Sequence, residues 1–453
     1  MKPLTHTPLS GLFLVLLLLL CSCNKYLEEK SNKSLVVPQT VKDLQGLLDD
    51  VTIMNNSYPA LSQASDDDIF VKPENYNGLA LLNQQIYIWE SEVIRFGSDW
   101  AGPYNAVYVA NYCLEKIEEN VLTASSKEAW NNVKGSAFFY RGFNFLALAG
   151  QYAVAYDEQT AEKDLGIVLR LGSDFNVPSK RSGVAATYTQ VISDLKNAAT
   201  FLPDHPQHSM RPSKAAAYAA LSRCYLWMRK YDSAYRYADL SLSLKSDLLN
   251  YNLSPVNINA TLPFQAYNKE TIFFMPQGSS SSLKSPANSN TDTALFASYH
   301  KDDLRRTAFF NVQPTRTSFK GNYTGEATKL FGGITTDEIY ITRAECAARL
   351  GDLSKAMKDV NDLLVTRWAT GKYMPFNITD AKLAVETILK ERRKELTMRG
   401  LRWMDIKRLN KEGANIVPTR IANGKTYTLA PNDKKYALPI PNDIIEITGI
   451  EQN

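Results

Sequence analysis

Two stretches of this chain repeat one hydrophobic pattern. In the first, Tyr218, Leu221, Ser222 and Tyr225 fall at helical spacing, a break follows at Tyr231-Asp232, and Ala234, Ala238 and Ser241 resume the period. In the second, Tyr340, Ala344 and Ala347 precede a break at Gly351-Asp352, and Ala356, Val360 and Leu363 follow. Apolar positions three and four apart predict amphipathic helices. Small residues facing bulky and aromatic ones let two antiparallel helices approach closely, which is the tetratricopeptide spacing. The same periodicity predicts helices over residues 104–121, 136–152 and 182–202, the last stopped by Pro203. Residues 271–275 read as a short strand. The two hairpins lie far apart in sequence, which argues against an unbroken solenoid. The expected fold class is mostly α, with helical hairpins as a scaffold, long irregular loops and a few short strands.

The N-terminus carries a different pattern. Lys2 is the sole charge before an apolar run over residues 12–20. That run is about half of the roughly 20 residues a membrane span needs, and it suits the apolar core of a signal peptide. It ends in Leu20-Cys21-Ser22-Cys23. A branched apolar residue three positions before a cysteine, with a small residue just before it, is the pattern of lipoprotein cleavage, so Cys23 is the expected lipidation site. Several acyl chains there would anchor the chain without a span. The expected organisation is a leader over 1–22, a lipidated tether over 23–40, an N-terminal helical region over 41–250, a loop-rich region over 251–335 and a C-terminal helical region over 336–453.

Composition narrows the function. Hydrophobic content of 44% and charged content of 22% are ordinary for a folded globule. A net charge of +4, part of it on Lys2, is too small for a nucleic-acid binder. Of five cysteines, Cys21 would leave with the leader and Cys23 would be acylated. Cys113, Cys224 and Cys346 then sit in apolar helical patterns and read as core residues. No metal or cofactor motif is present, and GxSxG, HExxH and the phosphate-binding glycine loop are missing. With four histidines scattered along the chain, the acid–base constellation of an enzyme is not legible, and a protein without catalytic function is expected.

Candidate ligand residues follow from the chemistry of sugars, which offer an apolar face to aromatic rings and a rim of hydroxyls to polar side chains. Tyr58, Asp66, Asp67, Tyr76 and Trp89 cluster before the first strong helix, and Phe264, Tyr267, Tyr299, Phe319 and Tyr323 lie in the irregular middle. Taken singly, each aromatic is more often a core residue; the expectation concerns the group.

Residues 391–410, ERRKELTMRGLRWMDIKRLN, read as a helix, a glycine stop at Gly400 and a second short helix. The string resembles the C-terminal hallmark of the SusD/RagB family, close to "ERRxEL…EGxRWxDLxRW", with Glu391, Arg392, Arg393, Glu395, Leu396, Gly400, Arg402, Trp403, Asp405 and Arg408 in register. Other segments resemble the family in the same order: Trp100, Tyr104 and Asn111; residues 141–152; residues 302–305; Leu438-Pro439-Ile440-Pro441 with Ile445 and Glu446; and the terminal residues 451–453. Glu28 and Glu29 resemble an acidic export signal. The resemblance implies a lipid-anchored protein of the outer membrane, facing the cell exterior. It implies capture of a glycan for a SusC-like TonB-dependent transporter, with tetratricopeptide-like hairpins packing on that partner. Peptide capture of the RagB kind, or a scaffold that binds no nutrient, are the alternatives. The ion pairs of the 391–410 block are expected to lock the C-terminal helices in place rather than touch ligand.

Overall fold

The computed structural model describes residues 38–56, 58–91, 98–120, 127–278, 283 and 288–453. Its longer helices are α1 (Val41–Leu48), α2 (Ser98–Ile117), α3 (Lys127–Tyr152), α4 (Val184–Phe201), α5 (Lys214–Trp227), α6 (Tyr231–Leu244), α7 (Thr336–Arg349), α8 (Leu353–Leu364), α9 (Ala381–Glu395) and α10 (Arg402–Asn410). Strands among the described residues are short and pair in twos, all antiparallel. The fold is mostly α, as the periodicity predicts. No helix among the described residues is long and apolar enough to cross a membrane. Cys23 and the leader lie outside the described residues.

Local chemistry sets the hairpins. Ser213 caps α5, its hydroxyl accepting the Ala216 N–H at 3.1 Å. Asp352 caps α8 by accepting from the Lys355 N–H at 3.0 Å, and Gly351 makes the preceding turn at φ 90°. The first break falls earlier than expected. Arg229 turns the chain at φ 60° and Tyr231 is already helical, so the reversal occupies residues 228–230 rather than Tyr231-Asp232. Alanines line the α5–α6 contact, and hydroxyls bridge it. Ser222 donates to the Ala234 carbonyl and Ser241 to the Ala215 carbonyl, both at 2.9 Å.

The helices stack in order, each on the next, from α2 to α8, and α9 lies against α7 and α8. The separation of the two hairpins in sequence therefore misleads: α6 packs directly on α7, and the intervening residues leave the stack and return onto it, with Phe273 against Phe139 and Phe143 of α3. A fully buried pair crosses this junction. Arg223 on α5 donates from Nε and Nη2 to the two carboxylate oxygens of Glu338 on α7, each at 2.7 Å. Farther along, a Cβ on Gly142 of α3 would lie 2.9 Å from the Asp194 Cβ of α4, so only glycine allows that crossing. Beside it Arg141 makes a two-pronged pair with Asp194 at 2.8 and 2.6 Å. The irregular region is tied back by two short pairings, Ile69–Phe70 with Asn290–Thr291 and Thr271–Phe273 with Ile334–Thr335.

Candidate ligand cleft

The 391–410 block forms α9, a turn and α10, and its charges are buried. Arg305 has no solvent exposure and donates to Asp303, to Glu391 at 2.7 Å and to Glu395 at 2.9 Å. Arg367 joins Glu395 at 2.8 Å to Glu270 at 2.7 Å. Arg408 pairs with Glu345 at 2.6 Å and with Asp405 at 2.8 Å, and Arg392 holds the other Asp405 oxygen at 2.8 Å. Trp403 is buried, its indole N–H donating to the Tyr436 carbonyl at 3.1 Å. Shared carboxylates of this kind fix geometry by making each displacement strand a buried charge. Met398 and Gly400, at φ 60° and 72°, turn the chain from α9 to α10. The Gly400 N–H is taken by Gln63 at 2.8 Å.

The acidic run of residues 66–68 docks on this block. Arg402 grips Asp67 with two bonds of 2.6 and 2.8 Å. Arg393 reaches Asp68 at 3.3 Å, Asp67 at 3.4 Å and Asp292 at 3.6 Å. Burial alone would raise the Asp67 carboxyl, but Arg402, then Arg393 and Arg420, overcome it and hold it at about 2. Asp66 moves the other way: burial, then the charges of Asp68 and Asp67, raise it well above the usual carboxylate range.

The two candidate regions do meet. The Gly278 N–H donates to the Tyr58 carbonyl and the Asp292 N–H to the Asp68 carbonyl, both at 2.8 Å, and the strand pair at Ile69–Phe70 continues the junction. Most of the candidate rings, however, face inward. Tyr58, Tyr76, Trp89, Phe264, Tyr299, Phe319 and Tyr323 are buried, as is Asp66. Their expected contact with a ligand is therefore corrected for this conformation: they have no free face to offer. For Tyr299 and Tyr323 the reason is the ion network beneath them, and Phe264 and Phe319 pack on neighbouring rings. Tyr323 donates to Glu270 at 2.6 Å and its ring lies 3.7 Å from the Arg399 guanidinium. Tyr299 donates to the Lys394 carbonyl at 2.7 Å, and Trp89 to the Ser65 carbonyl at 3.0 Å. Rings there shield buried charge and satisfy it at once. Asp67 is partly open, and Tyr267 is exposed, at φ 55°, with His208 edge-on to its ring at 4.6 Å.

Beside Asp67 and Asp292 a cleft of about 390 Å³ opens between the short helix Thr293–Ala297 and helices α9 and α10. Leu295, Leu389, Leu409 and Ile416 give it apolar walls, and Ser298, Lys390, Arg393 and Arg402 give it polar edges. Its volume is in the range of small-ligand sites. The reading of the sequence missed Leu295 and Ser298. The signal available was the match of one aspartate run to the arginines of the 391–410 block, which places residues 66–68, and with them residues 290–298, against α9.

A stack of helical hairpins that folds a loop-rich region back over its C-terminal helices, with a cleft at their junction, defines a mostly α class of scaffolded surface. Comparison with known families specifies it. Residues 25–226 match a family model described as "Starch-binding associating with outer membrane", and residues 336–453 match one described as "SusD family". Together these span more than two thirds of the chain, and the chain belongs to the SusD family. Solved structures agree on the fold. A SusD superfamily protein from Bacteroides thetaiotaomicron is 22% identical, with a TM-score of 0.73 over 91% of this chain and 99% of its own. A putative sugar binding protein from Bacteroides vulgatus is 19% identical, with a TM-score of 0.73 over 92% and 99%. A SusD-like carbohydrate binding protein from the same organism is 21% identical, with a TM-score of 0.68 over 91% and 97%. Comparison with curated proteins found no match.

Proposed function

We propose that this chain is a cell-surface lipoprotein, anchored through a lipid on Cys23, that captures a nutrient glycan without catalysis and passes it to a SusC-like TonB-dependent transporter. Membership of the SusD family and the leader pattern support the setting. The observation that carries the binding role is the cleft at the junction of the two loop regions with α9 and α10. Its leucine walls suit the apolar face of a sugar ring, and its hydroxyl, ammonium and guanidinium edges suit the hydroxyl rim.

A second reading has its own observation. Glu386 and Lys390, one turn apart on the cleft wall, are exposed and make no ion pair with each other or with another residue among the described ones. Unpaired charges of both signs suit the two ends of a short peptide. Native electrophoresis of residues 24–453 through gels containing a panel of polysaccharides separates the readings. Retardation by a polysaccharide, lost in Arg393→Ala, supports glycan capture in the cleft. Mobility unchanged by all of them, with calorimetric binding of a di- or tripeptide lost in Lys390→Ala, overturns it in favour of peptide.

A further inference from the structure

Three aromatic side chains are exposed among the described residues, Tyr108, Phe175 and Tyr267, and two of them line one groove. This groove, of about 330 Å³, runs between α2, the loop of residues 169–180 and the C-terminal helix Asn442–Thr448. It shares no lining residue with the cleft beside α9. Phe175 is 77% exposed and Tyr108 48%. Exposed rings of this size on one concave surface mark a binding site rather than scatter.

The loop that presents Phe175 is held in shape. Asn111 donates to the carbonyls of Arg170 and Gly172 at 2.8 and 3.1 Å, and its own oxygen is fixed by Arg141 of the buried Asp194 pair at 3.0 Å. Glu115 accepts the Ser173 N–H at 2.8 Å. Arg170 turns back onto the carbonyls of Val177 and Phe175. The ring is thus positioned before any ligand arrives, which lowers the ordering cost of binding.

The polar inventory indicates the ligand class. Asn105, Ser179 and the Tyr108 hydroxyl face the groove with no side-chain hydrogen-bond partner among the described residues. Among the described residues Arg170 is the one charged side chain in the lining, and its guanidinium is engaged by loop carbonyls. Open rings, neutral donors and acceptors, and no unengaged charge match an uncharged oligosaccharide. They do not match an acidic glycan or a peptide with charged ends.

We infer that this groove binds an uncharged glycan, with sugar rings stacked on Phe175 and Tyr108 and hydroxyls bonded to Asn105 and Ser179. The inference rests on the glycan-capture reading and adds a second site with its own selectivity. The test is isothermal titration of residues 24–453 with neutral hexasaccharides (gluco-, manno- and xylo-configured), oligogalacturonate and a tripeptide. Parallel titrations use Phe175→Ala, Tyr108→Ala and Arg393→Ala, each checked for an unchanged melting temperature. Because both rings are surface-exposed, their removal leaves folding intact. A neutral-hexasaccharide binding component that persists in Arg393→Ala and is weakened about tenfold or more by Phe175→Ala and by Tyr108→Ala is the expected result. Glycan binding that survives both aromatic substitutions and falls with Arg393→Ala overturns the groove but leaves glycan capture standing. Binding of oligogalacturonate alone overturns the stated class. Binding of the tripeptide alone overturns the groove and glycan capture together.

Discussion

The junction between the two hairpins depends on Arg223 and Glu338, and replacing Arg223 with Met tests how. The guanidinium is 1% exposed and the carboxylate 3%. Arg223 also donates to the Gly333 carbonyl at 2.6 Å. Its removal leaves a carboxylate in a dry interface with both oxygens unpaired. Stranding one partner of a buried pair costs about 3–5 kcal/mol. The pair itself is a different matter, since desolvation of both ions offsets much of their attraction. Arg223→Met with Glu338→Leu should therefore recover most of the loss and end within about 2 kcal/mol of the parent. Urea unfolding of residues 24–453, followed by circular dichroism, measures all three proteins. A single-variant loss below about 1 kcal/mol would show that water reaches Glu338, and that the α5–α7 contact is looser than its geometry. A double variant as unstable as the single one would refute the claim that an unpaired charge is what costs.

Other outcomes follow from the same packing. Trp403→Ala should cost about 3–5 kcal/mol, because the ring is fully buried and its indole N–H is satisfied; a melting curve checks this, and an unchanged curve with lost ligand binding would make Trp403 a contact residue instead. Asp67 contributes stability that is fully present above its unfolded value of 3.8 and is lost as pH falls through about 2. The parent should thus lose about 2 kcal/mol more than Asp67→Asn across that window in acid-unfolding titrations. Gly142→Ala should destabilise by about 1–3 kcal/mol, since its Cβ meets Asp194 at 2.9 Å, whereas Gly351→Ala meets no neighbour and is strained by its φ of 90° alone.

The fold was legible wherever one helix carries its own signal. The period at residues 213–230, the Ser213 and Asp352 caps and the Gly351 turn act within a few residues, so the hairpins could be read directly. The start of α2 was read late because Pro103 lies inside it, where proline is usually a boundary. The 391–410 block was legible both as a family hallmark and as a lock, because alternating charges with one apolar face have few other uses when buried.

The candidate ligand surface was legible only in outline. Sequence placed two aromatic-rich regions, and they do converge, yet composition could not say which rings would face inward. Tyr299 and Tyr323 look like Tyr108 in sequence. They are core residues because the buried arginines and glutamates of α9 and its neighbours, brought together from distant segments, need a hydroxyl and an apolar cover. Phe175 stays exposed because its loop spends its hydrogen bonds on Asn111, Glu115 and Arg170, which hold it on the surface. Local periodicity, caps and the order of motifs thus determined the class, the hairpins and the family. The stacking of α6 on α7 and the choice of open rings were decided by tertiary structure, since burial and long-range ion pairing depend on partners tens to hundreds of residues away.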